Sequence, residues 1–263
     1  MSETLDLAFQ HEGDGPPVIM LHGLYGSGNN WRGVTGELTR HYHIIRPDLR
    51  NHGSSPHHPA MDYPSMAKDV VRLIDRLALE RVTLVGHSMG GKVAMAMAQI
   101  APARLARLMV VDIAPVSYDH SQEHGRLIKT LQALDLSAID SRQAADRALA
   151  SAIPQPAIRQ FLLTNLQRDK NGWSWRIPLA ILGEQLPVIQ SWPADLDQPW
   201  TGPACFLHGE ASGYVQEEGQ QAIERLFPDA TRVGLPGVGH WVHAEAPDAF
   251  KDQLQSLLSH NNH

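Results

Sequence analysis

The sequence predicts an α/β protein: a mostly parallel central sheet with helices on both faces, interrupted by an inserted helical cap. Three observations predict it. Short continuous apolar runs, Val18-Ile19-Met20-Leu21, Val82-Thr83-Leu84-Val85 and Leu108-Met109-Val110-Val111, suit strands buried on both faces. Strand, polar or glycine-rich loop and helix alternate three times before residue 100, the rhythm of parallel strands joined by crossover helices. From about residue 116 to 200 that rhythm stops, and it resumes at Ala204-Cys205-Phe206-Leu207. Residues 1–115 and 201–263 are therefore expected to form the core and 116–200 the cap. A chain of 263 residues is near the upper size for one hydrophobic core, which fits one domain with an insertion.

Taken in order, residues 5–11 alternate loosely, as an edge strand does, and His11 to Pro17 has turn composition. The first buried strand ends in His22-Gly23-Leu24-Tyr25-Gly26-Ser27. Residues 29–41 can form a helix through Trp31, Val34 and Leu38. Residues 42–47 read as a strand, and Asp48-Leu49-Arg50-Asn51-His52-Gly53-Ser54-Ser55 as a loop. Residues 63–77 predict a helix with Met66, Val70, Leu73, Ile74 and Leu77 on one face. The strand at Val82 then runs into Gly86-His87-Ser88-Met89-Gly90 and a small-residue helix. The strand ending at Val111 is followed by Asp112. In the cap, helices are expected around 123–134, 141–152 and 156–165, then a turn and short extended piece at 171–176 and a Pro- and Trp-rich block at 186–200. After the strand at 204–207, a helix is expected at 216–226, a last strand at 231–235, a loop at 236–243 and a closing amphipathic helix at 246–258.

Composition narrows the functional classes. Hydrophobic residues make up 43% and charged residues 19%, with a formal charge of −6 and no Lys/Arg cluster, so no nucleic-acid footprint is present. The single cysteine, Cys205, lies in an apolar run and is expected as a buried thiol, with no intrachain disulfide and no Cys-rich metal motif. Residues 1–10 lack a basic start followed by an apolar run, and no window reaches the length of a membrane span. A cytoplasmic protein without cofactor or metal is the expectation. The end, His260-Asn261-Asn262-His263, reads as a frayed tail.

The chemistry centres on Ser88. Gly-x-Ser-x-Gly between a strand and a helix is a nucleophile elbow: the serine sits on a strained turn, its hydroxyl projects above the sheet edge, and the glycines allow close approach. A serine needs a base to take its proton. Among 15 histidines, His240 leads because it lies beyond the last strand after two glycines. His243 is expected to pack, and His87 is too close along the chain to reach the serine hydroxyl. The base needs a carboxylate to hold its tautomer. Asp112 and Glu210 both follow strands; Asp112 is favoured, because a short carboxylate at a strand end is easier to fix than a Glu210 curling over Gly209. The N–H groups of Leu24 and Met89 are candidates for holding an oxyanion. Tyr25, Tyr118, Phe161, Trp173, Trp175, Trp192 and Trp241 are candidates for lining a substrate cleft.

Residues 18–27, Asp48 to Ser55, the elbow and Gly239-His240-Trp241-Val242-His243-Ala244-Glu245-Ala246-Pro247 together resemble the α/β-hydrolase superfamily, in its order and over nearly the whole chain. More narrowly, Asp48 to Ser55, Gly86 to Lys92 and Val111-Asp112-Ile113-Ala114-Pro115 are similar to bacterial YbfF-type esterases and ABHD11-like hydrolases. That resemblance implies a triad of serine, histidine and an aspartate after the family's sixth strand, here Ser88, His240 and Asp112, acting on small acyl esters and, as a further substrate class, acyl thioesters. It also implies a structural loop role for Asp48. The common superfamily pattern carries its acid three residues past the glycine after the seventh strand, and here that position is Ser212. A small-molecule acyl ester is thus the expected substrate, with arginines such as Arg126, Arg159 or Arg176 available to an anionic thioester. The alternatives are carbon–carbon hydrolysis, lactone opening or cofactor-free haloperoxidation on the same triad, and a non-catalytic small-ligand receptor.

Overall fold

The computed structural model describes residues 3–119 and 121–259; the histidine-rich end lies outside the described residues. A seven-stranded sheet runs in the order β1-β3-β2-β4-β5-β8-β9. Its strands are β1 (Phe9–Glu12), β2 (Pro17–Leu21), β3 (His43–Pro47), β4 (Val82–His87), β5 (Leu105–Val111), β8 (Ala204–Gly209) and β9 (Thr231–Leu235). The edge strand β1 pairs antiparallel with β3, and every other pairing is parallel.

Alternate side chains of β2 enter two apolar clusters. Ile19 and Leu21 join the helices α2 (Tyr63–Arg76) and α3 (Met89–Ile100), while Val18 and Met20 join α1 (Arg32–Thr35) and α10 (Pro247–Ser259) on the other face. All four are 0% exposed. A central parallel strand covered on both sides has no polar face, which is why its sequence does not alternate. Full burial of each such side chain contributes about 1.5–3 kcal/mol. The helix α2 starts at Asp62, whose carboxylate accepts from Ser65 N, with Pro64 in the first turn.

Between β5 and β8 lie α4 (Ser121–Ala133), α5 (Arg142–Leu149), α6 (Pro156–Leu163) and α7 (Leu179–Gln190), with a hairpin of β6 (Leu166–Asp169) and β7 (Gly172–Trp175). The insertion is therefore mainly helical but holds a small antiparallel sheet, where the sequence predicts only a turn and an extended piece. The helix α7 has no counterpart in the expected elements, because Gly183 and Pro187 interrupt its pattern. The helix expected at 29–41 is broken into a 3-10 turn at Gly28–Trp31, the short α1 and another 3-10 turn at Leu38–Arg40. Gly33 and Gly36 weaken a continuous helix at that place. After β8 come α8 (Glu217–Leu226), β9 and the four-residue α9 (Val242–Glu245).

Candidate active site

At the end of β4 the backbone of Ser88 takes φ 53° and ψ −122°, and α3 begins at the next residue. A left-handed φ on a non-glycine residue is strained by about 1–3 kcal/mol and persists only where packing dictates it. Here it does. A Cβ on Gly86 would lie 2.2 Å from Gly90 O, and one on Gly90 would lie 2.5 Å from Leu21 O. The glycines let β4, α3 and β2 close around the turn. Gly91 N and Lys92 N donate to Ser88 O at 2.8 and 3.1 Å, starting the helix. Met89 N is the first N–H of α3 and has no acceptor within the helix.

The loop after β2 approaches Ser88 from the other side. A Cβ on Gly23 would stand 3.2 Å from both Ser88 Cβ and His87 Nδ1. Two buried histidines fix this loop. His22 donates from Nδ1 to Gly23 O (2.8 Å) and accepts at Nε2 from Leu49 N (3.0 Å). His52 donates from Nδ1 to Arg50 O (2.9 Å) and accepts at Nε2 from Tyr25 N (3.1 Å). These tautomers follow from the partners. Burial pushes His22 down to about 4 and His52 down to about 3, so both are neutral near pH 7. Asp48 accepts from Gly28 N and Ser54 N, each at 2.8 Å, so both oxygens of its carboxylate bind loop backbone.

Asp112 and His240 come together at 2.6 Å, Oδ2 to Nδ1. Asp112 also has a left-handed φ, 51°, and is 1% exposed. Its Oδ1 accepts from Gly209 N (3.0 Å), and its Oδ2 accepts additionally from the Ser212 hydroxyl (2.5 Å). Glu210 points elsewhere: its Oε1 lies 2.8 Å from where a Cβ on Gly234 of β9 would be.

Three groups outside this pair hold His240, and His243 backs one of them. His87 donates from Nε2 to His240 O at 2.9 Å. Glu245 accepts from Gly239 N (2.7 Å) and Trp241 N (3.1 Å), on either side of the histidine. The Tyr214 ring stacks on the imidazole with centroids 4.1 Å apart and planes 25° apart. His243 packs between Trp31 and His87, with centroids 4.6 and 4.8 Å away. Burial, then the neighbouring His240 and His243, hold His87 well below the usual imidazole range, and burial brings His243 to about 4.

Ser88 and His240 open onto one cavity of about 740 Å³, which Leu24 and Met89 also line. Of the aromatic candidates, Tyr25, Tyr118, Phe161 and Trp241 line it. Trp173, Trp175 and Trp192 do not. Trp175 donates from Nε1 to Leu131 O, and Trp192 donates from Nε1 to Leu196 O, so both face the insertion's own packing. Trp173 packs on the same hairpin, under Arg168. Tyr118 is committed as well: its hydroxyl accepts from Ala114 N and donates to Tyr214 O.

Lys92 had no assigned role in the sequence. It is 1% exposed, and its ammonium donates to Val116 O (2.7 Å), Gln190 O (3.1 Å) and Ser191 O (2.8 Å). The Tyr118 and Tyr63 rings lie 4.7 and 5.5 Å from Nζ. The helix after the nucleophile thereby pins both ends of the insertion's inner edge, where the C-terminal carbonyls of α7 favour a cation. Burial lowers Lys92 to about 7. A lone lysine in the apolar run after the elbow is the signal that would have found it.

The family model described as alpha/beta hydrolase fold matches residues 16–247. The chain belongs to the α/β-hydrolase family. Within the family it is closely related to the YbfF and ABHD11 types. It is 38% identical over 250 residues to the mouse (Mus musculus) sn-1-specific diacylglycerol lipase ABHD11, covering 93% of this chain and 81% of that one. It is 36% identical to Esterase YbfF of Escherichia coli (strain K12), covering 95% and 96%. Among solved structures, a marine microorganism esterase superposes with a TM-score of 0.93 at 38% identity, covering 97% of this chain and all of the other. This α/β-hydrolase is a serine-type ester hydrolase. Among the described residues no helix is long and apolar enough to cross a membrane.

Proposed function

We propose that Ser88, His240 and Asp112 are nucleophile, base and acid, and that the enzyme cleaves neutral acyl esters of small to medium size. The observation that carries this reading is the 2.6 Å contact of Asp112 Oδ2 with His240 Nδ1 beside a cavity that Ser88 and His240 share. With Nδ1 donating to Asp112, Nε2 of His240 is the atom left to take a proton. Ser88 Oγ attacks the ester carbonyl as His240 accepts its proton. The N–H groups of Leu24 and Met89 receive the oxyanion. His240 returns the proton to the leaving alcohol, and a water activated by the same base then releases the acid.

Apolar side chains such as Leu24, Leu127, Ile158, Phe161 and Leu162 support an uncharged acyl chain. The charged residues of the wall are Glu123, Glu245 and Lys92, and the Lys92 ammonium is already shared among three carbonyls. Arg159 is bound to Asp146. An ester is therefore favoured over a strongly anionic thioester. In this reading residues 116–200 form the cap that keeps bulk water from the acyl-enzyme, over a core of 1–115 and 201–263. Steady-state turnover of a p-nitrophenyl acyl series, from acetate upward, tests the proposal. Hydrolysis peaking at small to medium chains and abolished by Ser88→Ala is expected. Binding of the same esters without turnover, or turnover that survives Ser88→Ala, would overturn it.

A further inference from the structure

The loop after β8 is where the superfamily pattern would place the acid, and here it supplies an aromatic face instead. Tyr214 lies against His240 nearly parallel, 4.1 Å between centroids. Its backbone is held on both sides: Tyr214 N donates to the Ser212 hydroxyl (3.3 Å), which itself donates to Asp112, and Tyr214 O accepts from the Tyr118 hydroxyl (2.7 Å). The backbone that carries the ring is therefore tied to the carboxylate that orients the base.

We propose that Tyr214 is a positioning residue for His240, whose ring face stabilises the imidazolium formed when the base takes the serine proton. The inference rests on the assignment of His240 as that base. When the proton moves from Ser88 Oγ to His240 Nε2, the imidazole becomes a cation. A cation within about 6 Å of an aromatic face is attracted to the ring's negative face, more strongly when water is excluded. No bond to Tyr214 forms or breaks in the step.

The other groups facing His240 are arranged differently: the His87 ring lies 4.7 Å from the imidazole but is tilted by 44°. His87 of β4 and His243 of α9 are held neutral by burial, and Trp241 meets the imidazole edge-on at 62°. Asp112 supplies the charge partner in the ring plane, and Glu245 is engaged with the N–H groups of Gly239 and Trp241. Glu123 of α4 acts on Tyr214 through space, and burial with that charge pushes the Tyr214 phenol up to about 12, so it stays neutral. Among the described ring contacts, Tyr214 is the one that meets the imidazole in stacked geometry. Because Tyr214 also lines the substrate cavity, its ring separates the base from open water on that side.

The test replaces the ring's charge distribution without changing its shape. Tyr214→Phe, then phenylalanines carrying one, two and three ring fluorines at this position, progressively weaken the negative face. Both the pH dependence of ester hydrolysis and an NMR titration of the His240 imidazole are followed. Tyr214→Phe keeps the ring face and is the reference against which the fluorinated rings are compared. Along the fluorine series the acid limb should step to lower pH, by about half a unit at three fluorines, as loss of a contact of this kind implies. The plateau kcat should fall about three-fold with KM unchanged. A limb and a titration midpoint that do not move along the series would overturn the proposal, as would a full effect on losing the hydroxyl alone. If the parent cleaves no ester, the esterase reading fails, while the NMR titration still decides what the ring does.

Discussion

Ser212 stands at the position where the superfamily pattern carries an acid, and its hydroxyl donates to Oδ2 of Asp112 at 2.5 Å. The carboxylate thus reaches His240 from the end of β5, and the loop after β8 supports it instead of supplying it. In the proposed mechanism, Asp112→Asn leaves the shape but offers His240 Nδ1 the wrong partner. A loss of about 10³–10⁴ in kcat is expected. Ser212→Ala removes one of three donors to Asp112 and should reduce kcat less than about ten-fold. Glu210→Gln should leave kcat within two-fold. Kinetics on one p-nitrophenyl ester would check all three, and near-normal activity of Asp112→Asn would remove the assignment.

The buried histidines make stability fall in acid. The folded protein holds His22 at about 4, His52 at about 3 and His243 at about 4, against an ordinary 6.5 in the unfolded chain. His87 is lowered in the same direction. Between those values the unfolded chain binds more protons, so stability is fully present above pH 6.5 and declines as pH falls toward 4. Each fully buried histidine contributes on the order of 2–3 kcal/mol to that decline. Urea unfolding at pH 7.5, 6.5, 5.5 and 4.5 should show most of the loss between the last three. His52→Gln, whose amide does not titrate there, should flatten the slope; an unchanged slope would contradict neutral burial of His52.

Much of this was legible because catalysis in a parallel sheet concentrates at strand ends. Leu24, Ser88, Asp112 and His240 each follow a strand in the sequence, and the fold brings those ends together. Strand runs such as 18–21 were readable because both faces are apolar. The aromatic residues of the insertion were not, because composition gives no direction: Trp175 and Trp192 turn their N–H groups to carbonyls of the insertion. The positions around His240 were equally hidden. His87 looked idle next to the serine because the hydrogen bond it makes joins residues 153 positions apart. Lys92 sits in what reads as a plain apolar helix, and the three carbonyls it needs come from residues 116, 190 and 191.

Lys92→Met should separate the insertion's inner edge from the core. It removes the side chain that bonds three carbonyls, and a destabilisation of about 1–3 kcal/mol at pH 8 is expected, where a group held at about 7 is mostly neutral. The pH dependence has a definite sign. Burial lowers Lys92 from 10.5 to about 7, so between those values the unfolded chain binds more protons than the folded one. This group's contribution to stability therefore rises with pH across that window. The stability difference between the parent and Lys92→Met should widen from pH 7 to pH 10 in denaturant titrations. A difference that narrows would show that the folded lysine keeps its proton more tightly than the unfolded one.

Two glycine substitutions should move stability in opposite directions. Gly36 has φ −56° and ψ −38°, an ordinary helical conformation, and a Cβ there meets nothing within 4 Å. Gly36→Ala restricts the unfolded chain without strain and should raise stability by about 0.4–1 kcal/mol. It also supports the helix that the sequence between 29 and 41 would otherwise form. Gly90 differs: a Cβ would stand 2.5 Å from Leu21 O and 2.6 Å from His22 O, both backbone atoms of the strand end beside the elbow. Neither can rotate away, so Gly90→Ala must push α3 off β2 and carry Ser88 with it. Thermal unfolding and ester turnover of the two variants distinguish the cases. Gly36→Ala should melt at or above the parent temperature with full activity, whereas Gly90→Ala should melt several degrees lower with little activity. A Gly90→Ala protein with parental stability would mean that the elbow does not depend on this close approach.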